Sequence, residues 1–244
     1  MAELNYPKTD QNRLRVLEAS GDQTAQDRLL ARPYVVPAQM ETMIQTFLAK
    51  FRPAYDHMLA ERGTRGKEVD EKNTAVSELA QYVRDFLEVL QRRIAREKQP
   101  EALFIEYGQI RSGENAAGQS AADIIDYADQ IIKGEVRVIA DGYAPMSNPT
   151  VAEIEARRNA AIAEIADVNA AKSNLDQAQH DLDALRPEAD KLIRIMNSQL
   201  NITLYGMSKE DTRAVKERYG FTFYDRETPI APAGDEETPP EPTA

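Results

Sequence analysis

Apolar residues recur at alternating intervals of three and four along three stretches of this chain. Residues with this spacing lie on one face of a helix, and the spacing is typical of helices that pack lengthwise on other helices. The longest stretch comprises Val168, Ala171, Leu175, Ala178, Leu182, Leu185, Ala189, Leu192 and Met196. The other two comprise Met40, Ile44, Phe47, Phe51, Ala54 and Met58, and then Val69, Asn73, Val76, Ala80, Val83, Leu87, Leu90 and Ile94. The pattern predicts an all-α fold, an elongated helical bundle with one very long helix that resembles a coiled coil.

The long helix is predicted to begin near Thr150 and to continue to about Asn201. If Leu175 and Leu182 are the a positions of a heptad, Pro187 falls at the outermost f position. A proline on the outward face bends a helix while the apolar spacing continues in phase on the other side. We therefore expect a single packed helix that is bent near Pro187.

Other helices are predicted on either side of turn signals. The second would end at Arg62, because a turn is expected at Gly63–Gly66, where two glycines disfavour helix. The predicted ranges are 10–30, 38–62, 68–98, 101–107 and 120–140, with an extended connector at 32–37 and a loop at 111–120. Asn73 would fix the helix register if buried, or it is solvated; the sequence leaves both readings open.

The C-terminal region combines a short helix with an aromatic segment. Ser208 with Asp211 gives a start of the capping-box type, and Gly220 gives the stop. The residues that follow alternate in the manner of a strand, and their aromatic members are Phe221, Phe223 and Tyr224. These rings either anchor the chain's end on its own bundle or dock on another subunit. From Glu227 onward, the acidic, proline-rich sequence predicts a disordered tail.

These elements divide the chain into four predicted segments. Residues 1–145 form an N-terminal multi-helix bundle, and 146–206 form the long helical segment with its bend near Pro187. Residues 207–226 comprise the short capped helix with the aromatic extended segment, and 227–244 form the tail.

Composition restricts the partners of the chain. A net charge of −11 opposes binding to nucleic acid or to an anionic membrane, and we find no basic patch large enough to overcome it. The N-terminal residues lack the apolar core of a secretory signal, and no stretch has the roughly 20 apolar residues of a spanning helix. We therefore expect a cytoplasmic protein. The absence of cysteine excludes disulfides, thiolate catalysis and cysteine-ligated metals.

The residues offer little sign of catalysis. Only two histidines occur, and neither belongs to the Glu-x-x-His pairs of di-iron bundles. His180 falls at an outward f position, and His57 lies one turn before Glu61. Nucleotide-binding and hydrolase motifs are also missing. We expect no catalytic residue, no cofactor and no metal site.

Two classes of function stay open. The first is a non-enzymatic structural, scaffolding or adaptor protein that acts through helix packing and assembles as a homo-oligomer or a larger protein assembly. The second is a helical-bundle enzyme or small-ligand-binding protein without a recognisable motif. For the first class, the candidate assembly and packing residues are Val168, Ala171, Leu175, Ala178, Leu182, Leu185, Leu192, Phe221, Phe223 and Tyr224.

The heptad register of the long helix can be tested at Leu182. Leu182→Asp would place a carboxylate among the apolar residues on the packed face of the long helix. It should lower the free energy of unfolding by several kcal/mol. Thermal denaturation measures this loss. An unchanged melting temperature would show that the register is wrong.

Overall fold

A computed structural model describes residues 2–32, 36–108 and 120–225. Six helices and two short strands are found there: β1 (Ala2–Asn5), α1 (Asp10–Leu29), α2 (Ala38–Glu97), α3 (Ala102–Glu106), α4 (Ala121–Ala140), α5 (Val151–Thr203), α6 (Lys209–Arg218) and β2 (Thr222–Asp225). The all-α class is confirmed. Residues 33–35 of the predicted connector, 111–119 of the predicted loop and the whole of the predicted tail lie outside the described residues.

Two compact units make up the structure. The first unit contains Met1–Tyr55 and Leu182–Ala244, and the second contains Asp56–Asp181. Helices α2 and α5 each contribute to both units. The four segments predicted along the sequence stay a prediction.

Helix α5 is continuous, as the apolar spacing predicts. It includes Pro187, which is exposed, as is His180. Its first turn is held by a reciprocal pair of hydrogen bonds, since the Glu153 backbone N–H donates to the Thr150 hydroxyl at 3.3 Å and the Glu153 carboxylate accepts from the Thr150 backbone N–H at 2.8 Å. The predicted start of the helix is therefore confirmed.

The predicted turn at Gly63–Gly66 is wrong, because α2 runs unbroken through both glycines and through Pro53. Each glycine costs a helix roughly 1 kcal/mol relative to alanine. The apolar spacing nevertheless stays in helical phase across the glycines, since Met58 and Val69 lie eleven residues, or about three turns, apart. Met58 and Val69 are partly buried, on either side of the exposed residues 62–67. Asn73 on this helix is exposed, so the solvated reading of that residue holds.

The second unit is built around the C-terminal half of α2, which packs against α3, α4 and the first turns of α5. Its buried core comprises Leu79, Val83, Phe86, Leu90, Ile94, Leu103, Phe104, Tyr107, Ile124, Ala128, Ile131, Val138, Met146, Ile154 and Ala161. Glu135 is buried within this unit and accepts hydrogen bonds from the Tyr107 hydroxyl at 2.5 Å and the Met146 backbone N–H at 2.7 Å. These bonds tie α4 to α3 and to the segment before α5.

The first unit joins the two ends of the described chain. Strands β1 and β2 pair antiparallel, with Leu4 opposite Phe223. No pattern in residues 2–5 predicts β1 from the sequence. Phe221, just before β2, is 2% exposed. The aromatic segment thus pairs within its own chain, as the anchoring interpretation expects.

Two glycine substitutions test the continuity of α2 and the packing of α4. Gly63→Ala should stabilise the protein by about 0.5–1 kcal/mol, because residue 63 is helical and an added Cβ would meet no atom beyond its own helix within 4 Å. Gly134→Ala should destabilise by about 1–3 kcal/mol, because its Cβ would lie 2.5 Å from the Glu106 carbonyl oxygen. Urea denaturation measures both. A destabilising Gly63→Ala would show that residue 63 is not helical.

Candidate functional site

Most of the candidate assembly and packing residues are buried or partly buried within the chain. Buried members in the second unit are Ala171, Leu175 and Ala178, and those in the first unit are Leu182 and Leu192. Val168 and Leu185 are partly buried. Of the aromatic candidates, Phe221 is buried, Phe223 is partly buried and Tyr224 is exposed. Their role in assembly stays a prediction.

A pocket in the first unit that is open to solvent brings Phe223 together with residues of α6. It has a volume of about 410 Å³ and is lined by Met207, Lys209, Glu210, Thr212, Arg213, Lys216 and Phe223. We call it the α6 cavity. Its three cationic residues occur at positions i, i+4 and i+7 of α6, and this spacing places them on one helix face. With Glu210 the only acid among the lining residues, the lining carries a net charge of +2.

Helix α6 is fixed at its N-terminus by its cap. The Asp211 backbone N–H donates to the Ser208 hydroxyl at 3.1 Å, and that hydroxyl donates to the Asp211 carboxylate at 2.7 Å. The predicted capping start is confirmed. The stop is confirmed as well, because Gly220 has a φ of +85°, a conformation that glycine adopts without strain.

The C-terminal end of α6 is held by a buried carboxylate of α1. Asp27 has no exposed surface and accepts hydrogen bonds from the Tyr219 hydroxyl at 2.7 Å, the Gln23 amide at 2.6 Å and the Arg32 guanidinium at 3.0 Å. The Ser20 hydroxyl also donates to the Tyr219 carbonyl oxygen at 2.9 Å. Both the side chain and the backbone of Tyr219 are thereby attached to α1, and this attachment sets the position of the cavity wall.

Lys216 is the unusual residue of the cavity wall, because a lysine is seldom buried without an ionic partner. Its side chain is 7% exposed, and its Nζ donates to the amide oxygens of Asn197 at 2.8 Å and of Asn201 at 2.5 Å. The Asn197 amide nitrogen donates in turn to the Tyr6 hydroxyl at 3.0 Å. Tyr6 therefore orients the Asn197 oxygen toward the ammonium.

The charge of this ammonium is not balanced by a carboxylate of the described residues. Both of its acceptors are neutral amides, and burial lowers the pKa of Lys216 below the ordinary value for lysine. Folding thus carries a penalty while Lys216 is protonated. The penalty is complete below the pKa of the folded state and is lifted as the pH rises through that value toward 10.5.

Arg213 lies between Lys209 and Lys216 along α6 and contacts the aromatic wall. Its guanidinium carbon is 5.4 Å from the centre of the Phe223 ring, and its Nε donates to the Glu217 carboxylate at 2.9 Å. A cation over an aromatic face is attracted by the ring and holds it in place. Phe223 is therefore fixed on one side of the cavity by α6 and along its backbone by β1.

An acidic group in the second unit is the other arrangement with potential chemistry. Carboxylate oxygens of Glu68, Glu164 and Asp167 lie within 4.8 Å of one another. Glu68 and Glu164 also contribute to raising the pKa of Lys67, after the larger effects of Glu71, so a cation already lies near the group. Exposed acidic groups of this kind are common, and nothing further in the described residues points to a ligand there.

The sequence signals for the α6 cavity were incomplete. The spacing of Lys209, Arg213 and Lys216 is visible in the sequence, but it matches the pattern of a solvated helix face. The burial of Lys216 depends on Asn197 and Asn201, which precede it by 19 and 15 residues on another helix. Only the tertiary structure shows that one of the three cations is enclosed.

We found no significant match to this chain among protein-family models, curated proteins or solved structures. None of the described helices is sufficiently long and apolar to cross a lipid bilayer. The function must therefore be inferred from the geometry of the chain itself.

The attachment of α6 to Asp27 can be tested with a pair of tyrosine substitutions. Tyr219→Phe removes one donor from a fully buried carboxylate and should cost about 1–3 kcal/mol of the free energy of unfolding. Tyr205→Phe is the matched control and should leave stability unchanged, because Tyr205 is 93% exposed within the chain and the substitution keeps its aromatic ring. Urea denaturation compares the two. Equal stabilities would mean that the hydrogen bond to Asp27 does not hold α6.

Proposed function

We propose that this chain is a non-enzymatic scaffolding protein that acts by assembling with a second copy of itself. The observation that carries this proposal is a group of exposed apolar side chains where α5 ends. Ile202 is 68% exposed, Tyr205 is 93% exposed and Met207 is 40% exposed. We call these three residues the α5-end surface.

The turn after α5 is built so that apolar groups point both inward and outward. Leu204 is 3% exposed, and its backbone N–H donates to the Leu200 carbonyl oxygen at 2.9 Å. The Tyr205 N–H donates to the Ile202 carbonyl oxygen at 3.3 Å, and the Met207 N–H donates to the Leu204 carbonyl oxygen at 3.1 Å. The outward side chains are therefore held on hydrogen-bonded backbone. Apolar groups that are clustered and fixed in this way favour contact with another protein surface.

The charge pattern favours a second copy of this chain as the partner. No charged residue occurs between Arg194 and Lys209, although 29% of the chain is charged. Two copies that carry a net charge of −11 each repel one another over most of their surfaces. The uncharged segment is where they can meet with least repulsion, and a two-fold axis doubles the apolar area of a small patch.

The burial of the seam also affects where assembly would occur. Side chains such as Ala178, Leu182 and Leu192 are already covered inside one chain. A second copy would have to displace those contacts in order to use them. The exposed residues at the end of α5 are available without any such displacement, and we therefore place the contact there.

Solution mass tests the proposal. Size-exclusion chromatography with light scattering should give a multiple of the chain mass of 27.3 kDa for the unmodified protein. Ile202→Ser combined with Tyr205→Ser should lower this mass to that of a single chain, because the substitutions remove apolar area that drives association.

Val136→Ser provides the matched control, since Val136 is 68% exposed like Ile202 but lies on α4 in the second unit. This variant should keep the mass of the unmodified protein. An unmodified protein that is monomeric at every concentration, or an assembly that only Val136→Ser disrupts, would contradict the proposal.

A further inference from the structure

We propose that the α6 cavity is a binding site for a small organic carboxylate with an apolar body. The inference does not depend on assembly. It combines three properties of the cavity: a buried cation without an ionic partner, an apolar wall, and a volume of about 410 Å³, which lies within the range of small-molecule sites.

The buried cation determines the charge of the ligand. An ammonium has three N–H donors, and the two asparagine oxygens take two of them from Lys216. Among the described residues, no acceptor takes the third, and no carboxylate forms an ion pair with Nζ. A ligand carboxylate would supply the missing acceptor and the missing negative charge together, and hydrogen bonds between charged groups are stronger than neutral ones.

The asparagine pair distinguishes this arrangement from a lysine that only extends along the surface. A surface lysine keeps its ammonium in water while its methylene groups pack on apolar neighbours. The ammonium of Lys216 is instead held by two amide oxygens of α5, one of which is oriented by Tyr6. The cation is thus fixed beside the cavity before any ligand arrives, which lowers the entropic cost of binding.

The remaining lining residues indicate the body of the ligand. Phe223 and Met207 provide apolar surface, and the Thr212 hydroxyl provides a hydrogen-bonding group. Lys209 and Arg213 add positive charge on the same helix face, and Glu210 is the one acidic lining residue. An aromatic ring attached to a carboxylate matches this combination, since the ring can pack on Phe223 while the carboxylate reaches Lys216.

The experiment compares phenylacetate with its uncharged analogue phenylacetamide. Both are titrated into the isotopically labelled full-length chain at neutral pH, and binding is measured by NMR chemical-shift changes in α6. Phenylacetate should bind at least about tenfold more tightly than phenylacetamide, because only the acid forms the charge-assisted hydrogen bond. Equal binding of the two compounds, or no binding of phenylacetate at millimolar concentration, would overturn the proposal.

Two variants locate the cation that is responsible. Lys216→Met keeps the length of the side chain and removes its charge, so that phenylacetate should lose its advantage over phenylacetamide. Lys191→Met on the exposed face of α5 is the matched control and should keep the advantage. An advantage that survives in Lys216→Met would overturn the assignment of Lys216.

A third measurement needs no variant and therefore does not depend on the folding of Lys216→Met. The pKa of the Lys216 amine is followed by NMR in the unmodified protein with and without saturating ligand. Phenylacetate should raise this pKa, because a carboxylate stabilises the ammonium, whereas phenylacetamide should not. A purely structural lysine would show the same pKa in all three samples, and that result would overturn the proposal.

Discussion

The narrow width of the apolar face on α2 and α5 is the constraint on which the rest of the structure depends. A helix with apolar residues only at intervals of three and four can bury one stripe and leaves the remaining surface in water. The middle of α5 follows this pattern, because Ala171, Leu175 and Ala178 are buried while most of their neighbours are exposed. Each compact unit must therefore obtain the rest of its core from the shorter elements.

Wider apolar faces near the helix ends explain where the shorter elements are placed. In the first unit, Leu192, Ile193, Met196 and Leu200 of α5 are all buried, and a single partner helix does not cover a face of that width. Helices α1 and α6 and the two strands belong to this unit and complete its core. Polar side chains of α1 and α6 become buried as a result, among them Asp27 and Lys216. Asp27 is satisfied by three donors, whereas Lys216 has only neutral acceptors.

Sequence reasoning succeeded where periodicity alone decides the structure. The spacing predicts that α5 continues past Pro187, because a proline at an outward position leaves the apolar residues on either side in phase, and the helix does continue. In α2, the phase of the apolar spacing favours a continuous helix through Gly63, whereas the local preference of glycine favours a turn, and the structure shows the continuous helix. Strand β1 and the burial of Lys216 were out of reach, since both arise from contacts between segments nearly 20 to more than 200 residues apart.

Met207 connects the two proposals because it is common to both surfaces. It is 40% exposed beside Tyr205, and it lines the α6 cavity with Phe223 and Lys216. A second copy that packed on the α5-end surface would therefore contact the rim of the cavity, while the ammonium of Lys216 is held at its wall by Asn197 and Asn201 of α5. The chemistry of the two surfaces differs accordingly: uncharged apolar area would drive assembly, and an unbalanced buried charge would drive ligand binding. Because different side chains supply these two contributions, Tyr205 and Lys216 can be altered separately and each role can be tested without the other.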